Sequence, residues 1–552
     1  MELVGFLPHV MAFCCLLRVG HLQTDEVGEA HNQLNELTES FWNWKLREFP
    51  ESATREKFHD HDDEVESFTM EAFTLRKNKC AQFLKLAQEI NYSELSIDDK
   101  LTLDVMKDQL KTYINGYQWR MYGSLTPLNF LEGLHKDVDY WVKSGQYKTE
   151  EDFDKYLLRL ERLPRQIKEI ENLMQQAIEL KRTCHRVSIE GVPDHIDKHF
   201  VDKETRNTIF FTPFRKALEA AVEHRRTRHQ LQQRAEHVIR TKVQQSFRDL
   251  SSFIKTQYLP NTRQSYGVSS LDKGLDFYKS ALAWHLSLNI EPSEVHQLGL
   301  REVERIRGLI FQIMSKQNFT GSLTEFFQLM RTKSAFYNHT QEEMLEKYKK
   351  LLLEKVASKL PDFFTNLTDI PPVRVRQMSH DGIDAQYHNG TIFVNTRLPQ
   401  TRPSFMMTSL ALHEGNPGHH LQVSLNRILP IPKFRRYLWG GKKYSAPFHF
   451  PYYTAYVEGW GLYAEFLGEE MELYADFYEL FGRYTYEIFR ACRLVVDTGI
   501  HAFGWSRDQA VEYMLNHTFT TRKQATTEVD RYITWPGQAC AYKIGEMRII
   551  LR

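Results

Sequence analysis

Cysteine is scarce in this chain, with 6 in 552 residues and none in C-x-x-C spacing. That excludes a disulfide framework and a thiolate metal site. Charge of one sign is missing too: Lys plus Arg and Asp plus Glu number 71 each. The balance gives no reason to expect a nucleic-acid partner or an anionic membrane surface. Neither a Gly/Ser/Pro-rich linker nor a fixed-period repeat divides the chain into modules. Long apolar runs are also absent, the best being Val4 to Leu17. Fourteen residues cannot span a bilayer, which needs about 20.

That run instead suits the core of a secretory leader ending between Gly20 and Gln23, so residues 1–22 are expected to be a signal peptide. Cys14 and Cys15 would leave with it, and Cys80, Cys184, Cys492 and Cys540 would remain. Sequons at Asn91, Asn318, Asn338, Asn366, Asn389 and Asn516 agree with an exported glycoprotein. The expected location is secreted or in the endomembrane lumen, with no membrane span.

Residues 23–370 read as a helical body. Thr149-Glu150-Glu151-Asp152 opens a helix with a capping-box pattern, and Phe153, Leu157, Leu160, Leu163, Ile167, Ile170, Met174 and Ile178 form its apolar stripe. A second such helix opens at Thr340 and carries Met344, Tyr348, Leu351, Leu352 and Val356. The basic run His224 to His229 reads as a solvated helix face. Thr391 to Thr396, after the turn signal Asn389-Gly390, reads as a strand. It is either a free edge for an extended peptide or part of a structural hairpin.

Residues 371–552 hold the chemistry. His413-Glu414-Gly415-Asn416-Pro417-Gly418-His419-His420 places three imidazoles and a carboxylate together, and Glu458 follows in the aromatic, glycine-punctuated stretch Tyr456 to Tyr463. Imidazoles plus one carboxylate are what zinc takes in a catalytic site with an open position. On a straight helix six residues turn about 600° and rise about 9 Å, so His413 and His419 would point about 120° apart. A break is therefore required, and Pro417-Gly418 supplies it. The run Pro403 to Leu412 is expected to be a buried helix leading into it. His413, His419 and Glu458 are the expected ligands, with His420 the alternate for His419. Glu465, seven residues beyond Glu458 and on its face, is either an acceptor from a ligand imidazole or a surface acid.

The string from His413 to Gln422, with Tyr456 to Glu465, resembles the domain-of-unknown-function 885 family. Val496 to His501, Glu528 to Tyr532 and Pro536 to Ala539 also look like its motifs. The resemblance implies a gluzincin-like zinc metallopeptidase related to helical oligopeptidases and carboxypeptidases. The implied fold is mainly α, an elongated two-lobed multi-helix body with a small β element beside the metal helix. It also implies a further helical stretch beyond Arg548, hence a shortened C-terminus here.

These readings lead to zinc-dependent hydrolysis of short peptides, with Glu414 as general base. His501, Tyr532, Arg493 and Tyr542 are candidate oxyanion donors, and an ordinary core hydrogen bond is the alternative for each. Arg493 or Arg531 could instead hold a substrate carboxylate. Asn395, Arg493 and Tyr542 are the candidate substrate contacts. Two other classes stay open: a non-catalytic metal-containing binding protein, and a metallohydrolase of a non-peptide amide or ester.

Overall fold

The computed structural model describes residues 28–551 apart from 338, 366, 379–382 and 438–441. The expected leader and the sequon residues Asn338 and Asn366 lie outside the described residues. The other four sequon asparagines are exposed.

The protein is mainly α-helical. Its first half is built on α1 (Glu29–Glu48), α2 (Met70–Glu89), α3 (Ile97–Gly116) and α4 (Glu150–Glu179). The capping box at Thr149 is formed, with the Asp152 carboxylate and the Thr149 hydroxyl exchanging backbone bonds. Along α4 the whole expected stripe from Phe153 to Met174 is buried. Arg159, on the same helix, is buried as well. Its guanidinium donates to the carbonyls of Glu64 and His61 and to the Thr54 hydroxyl, tying α4 to the loop after the first helices.

α5 (Pro292–Lys316) follows, and then a three-stranded sheet: β1 (Arg374–Gln377), β2 (Ala385–His388) and β3 (Thr391–Val394). Beyond the sheet come α6 (Met407–Glu414), α7 (His419–Ile428), α8 (Thr454–Glu470), α9 (Phe477–His501), α10 (Arg522–Thr534) and α11 (Ala541–Ile550). Among the described residues no helix is long and apolar enough to cross a membrane. All four described cysteines are free thiols.

The apolar cores do not divide at residue 370, where composition and motif placement put the boundary. One core gathers residues from Ala30 to Tyr258 and takes in Phe434, Phe448 and Phe450 from the second half. Another joins Val303, Ile306 and Ile310 of α5 to Ile488, Cys492 and Val496 of α9. The cores do not follow the order of the chain: α5 packs with the metal-bearing helices, and a further core joins Trp119 and Tyr122 to Phe277, Leu494 and Ile544. An amphipathic stripe states that a helix is buried, but not against which partner.

Of the two readings of the expected strand, the hairpin is the one the fold adopts. β3 is the middle strand, parallel to β1 and antiparallel to β2, so it has no free edge. Asn389 and Gly390 both take positive φ, 46° and 75°, as a two-residue hairpin turn of type I′ requires. The edge beside the metal helix is therefore β2.

Candidate metal centre

Helix α6 ends at Glu414, and Gly415 to Gly418 form a turn before α7 begins at His419. The expected break is complete: two helices with a reset between them. Gly415 and Gly418 lie outside helical ψ, at −133° and −132°. α8 braces the turn: Trp460 Nε1 donates to the Pro417 carbonyl at 2.8 Å.

The reset brings His413 and His419 ring centroids to 4.8 Å with their planes nearly perpendicular. Ligand atoms of His413, His419 and Glu458 all lie within 4.8 Å of one another. Glu458 Oε2 is 3.9 Å from His413 Nε2 and 3.6 Å from His419 Nε2. Gly461 makes room for this, since a methyl there would meet His413 Nε2 at 2.8 Å. A bulkier residue would push the imidazole off the cluster.

Each imidazole is aimed by its other nitrogen. His413 Nδ1 lies 2.7 Å from Glu465 Oε1, so it carries the proton and Nε2 presents a lone pair. Glu465 is buried and accepts a second bond from Ser409 Oγ at 2.5 Å. Arg490 also approaches Glu465, at 3.5 Å. Burial raises the Glu465 pKa, but Arg490, His413 and Ser409 together hold it below the ordinary carboxylate range. His419 Nδ1 lies 3.3 Å from Gln422 Oε1, and Gln422 Nε2 donates to the Tyr456 carbonyl. That donation fixes the amide so that its oxygen faces the histidine.

Without a metal, burial pulls the His419 pKa down, but Glu458 and the Glu414 charge outweigh it and raise it to about 9. Burial likewise raises Glu458, and the two histidines return it far below the usual range. Three donors of zinc-preferring type thus share one gap, with the orienting bonds of both imidazoles already made, and the donor set fits the ion.

Glu414, the last residue of α6, is half-buried. Its Oε2 accepts the Tyr387 backbone N–H at 2.7 Å, which couples it to the edge strand β2.

Several expected residues sit elsewhere. His420 is not in the cluster: it turns the other way, bonds the Pro371 carbonyl through Nε2 at 2.8 Å and packs on Tyr387. His501 has no free N–H for a substrate, because Nδ1 accepts from Val268 N and Nε2 pairs with the Tyr532 carbonyl. The Tyr532 hydroxyl is buried against Arg493, at 3.2 Å from its Nε. Asn395 is a buried turn residue that donates to the Ile383 carbonyl and accepts from Arg397 N. Arg493, Arg531 and Tyr542 do come together, with Arg531 Nη2 3.0 Å from the Tyr542 hydroxyl.

Four contributors were missed. Gln422 and Ser409 stand at helical spacing from the ligands they serve, three residues after His419 and four before His413, and that signal was readable. Arg490 and the Tyr387 amide carry none.

The architecture is similar to two solved structures. One is a candidate lipoprotein from Colwellia psychrerythraea, 24% identical with a TM-score of 0.83, covering 95% of this chain and 92% of that one. The other is a candidate lipoprotein of unknown function from Shewanella oneidensis, 15% identical with a TM-score of 0.66, covering 94% and 92%. No curated protein matches the chain. A family model described as bacterial protein of unknown function matches residues 50–551, and the chain belongs to that family, DUF885.

Proposed function

We propose that the protein is an exported zinc-dependent peptidase of the gluzincin type, acting on short peptides. One observation carries this reading: the His413, His419 and Glu458 donors converge while Glu414 stands beside them, one carboxylate oxygen held by Tyr387 N–H and the other without a hydrogen-bond partner among the described residues. A purely structural zinc site is closed by a fourth protein ligand and needs no adjacent base.

Zinc held by the three donors would supply Lewis acidity to a peptide carbonyl and to water. The protein's own part is positional and protonic. Glu465 and Gln422 hold the imidazole Nδ1 protons, so both Nε2 atoms face the gap. Tyr387 N–H holds Glu414 Oε2, and Oε1 takes the proton of the attacking water and later returns it to the leaving amine. Because β2 is an edge strand, its outer side offers backbone pairing to an extended chain, which favours a peptide over another amide or ester. Export rests on the apolar N-terminal run, the exposed sequons and the description of both structural relatives as candidate lipoproteins.

The test is Glu414→Gln. It keeps the side chain's size and removes its basicity, so bound zinc should stay near one per chain while peptide turnover drops by about 10²–10⁴-fold. His413→Ala should lose the zinc. Undiminished turnover in Glu414→Gln would remove Glu414 from the chemistry, and a wild type inert towards a broad peptide library would sink the peptidase reading.

A further inference from the structure

Next to the metal cluster lies a group of cations that packing alone does not explain. Arg493, on α9, is buried, and three of its contacts are made: Nε to the Tyr532 hydroxyl at 3.2 Å, Nη2 to Glu528 at 2.9 Å, and the guanidinium face over the Tyr542 ring at 4.4 Å. Its Nη1 has no hydrogen-bond partner among the described residues. Arg531, on α10, donates Nη2 to Gln538 and to Tyr542, and its Nη1 is 3.6 Å from the same Glu528. Its Nε is buried, with no hydrogen-bond partner among the described residues. Two guanidiniums therefore share one carboxylate. Asp497, one turn beyond Arg493, is committed elsewhere: it accepts from the Tyr278 hydroxyl at 2.6 Å and from Gly537 N.

A third cation continues the patch towards the metal. Lys443 Nζ stands over the rings of Tyr452 and Trp535, at 5.3 and 5.0 Å. Among the described residues no carboxylate pairs with it at ion-pair distance. Glu132, one of the acids that Lys443 influences, is occupied by the backbone N–H groups of Lys443 and Tyr444.

The path from this patch to the ligands is short. α11 crosses α8 where Gly545 meets Gly459, the neighbour of Glu458, and Tyr542 stands one turn earlier on α11. Tyr452 is within electrostatic reach of both Glu458 and Tyr542, and Lys443 acts on Glu458 itself. Trp535 then links Lys443 to Arg531, whose guanidinium lies 5.8 Å from its ring.

A buried guanidinium with an unmade donor is costly unless a ligand completes it, and a planar fork of N–H groups matches a carboxylate. We propose that Arg493, Arg531 and Lys443 form the subsite for the C-terminal carboxylate of the peptide, which makes the enzyme an exopeptidase that works from the C-terminus. This rests on the peptidase reading above, but binding can be tested without turnover.

The experiment uses zinc-loaded Glu414→Gln protein, titrated calorimetrically with acetyl-tetraalanine as the free acid and as the C-terminal amide. The free acid is expected to bind at least about thirtyfold more tightly. Adding Arg531→Gln should bring acid affinity down to that of the amide and leave amide affinity unchanged; Lys443→Met should reduce the preference in the same direction by less. Equal binding of acid and amide, or binding of neither, overturns the subsite. So does an amidated peptide ending in Glu that binds as well as the free acid. Loss of both affinities alike in Arg531→Gln would show that the arginine only holds the fold. Selective binding of the acid by a protein whose wild type never cleaves it would keep the subsite and sink the peptidase reading instead.

Discussion

Two buried polar centres share α8 and α9, and they follow opposite rules. In the first, His413, His419 and Glu458 face a common gap, with the outer nitrogens of both imidazoles already bonded. In the second, Lys543 of α11 is enclosed by three carboxylates: Glu487 at 2.7 Å, Glu546 at 2.5 Å and Glu302 at 3.1 Å. Arg305 pairs with Glu302 and Glu487, and Arg483 with Glu469 and Glu487. Three cations thus meet four acids, and each cation has carboxylate partners inside the protein, although Arg483 Nε lacks a hydrogen-bond partner among the described residues. The difference separates charge that is buried to join helices from charge that is buried to receive something. A filled network ties α5, α9 and α11 together; an unfilled one presents donors.

The contrast is broken most sharply by Lys543→Met. It strands carboxylates in the interior, and breaking a buried network from one side costs about 3–5 kcal/mol. Denaturant unfolding should show that loss, while zinc stoichiometry in the folded protein stays the same. A loss below about 1 kcal/mol would mean that the network is not structural in the sense argued.

Glu465→Gln is a smaller test on the other side. It removes the charge that orients His413 without touching a donor atom, and such partners are worth about 10–100-fold in metal affinity. Competition with a chelator reads this directly. An unchanged affinity would mean that packing against Gly461, and not Glu465, aims the ring.

The smallest effect is a pH slope. With four acids against three cations, burial raises the Glu546 carboxyl to about 7. Its folded pKa lies above the unfolded value of 4.5, so its contribution is present in full below that value and is lost as pH rises through 7. The stability of the wild type relative to Glu546→Gln should therefore decline between about pH 4.5 and 7. A difference that does not change with pH would assign the proton to another group.

The metal segment was legible because its parts are close in sequence: two histidines, the adjacent glutamate and the Pro-Gly break lie within seven residues, and Glu458 follows in a glycine-punctuated helix. The filled network was not. Glu302, Glu487, Lys543 and Glu546 look like ordinary helix-surface charges, and only tertiary packing shows that they are interior. β1 and β2 were missed for a related reason. Arg-Val-Arg-Gln, mostly exposed, and Ala-Gln-Tyr-His, mostly half-buried, are both short and polar, so neither alternation nor β-branching marks them. The outlying His420 could not be told from His419 by composition, since only the direction in which the chain leaves Gly418 separates them.

The contact between Gly459 and Gly545 carries a consequence for inheritance of change. A methyl on either residue would sit within about 2.5–2.7 Å of the other's backbone, so neither helix can shift alone. Glu458 is anchored one residue from that contact on α8, and Tyr542, Lys543 and Glu546 ride within one turn of it on α11. A single crossing point therefore sets three spacings at once: ligand to ligand, ligand to cation patch, and patch to buried network. A one-residue change there would detune all three together, whereas changes at the far ends of the two helices would leave them in step.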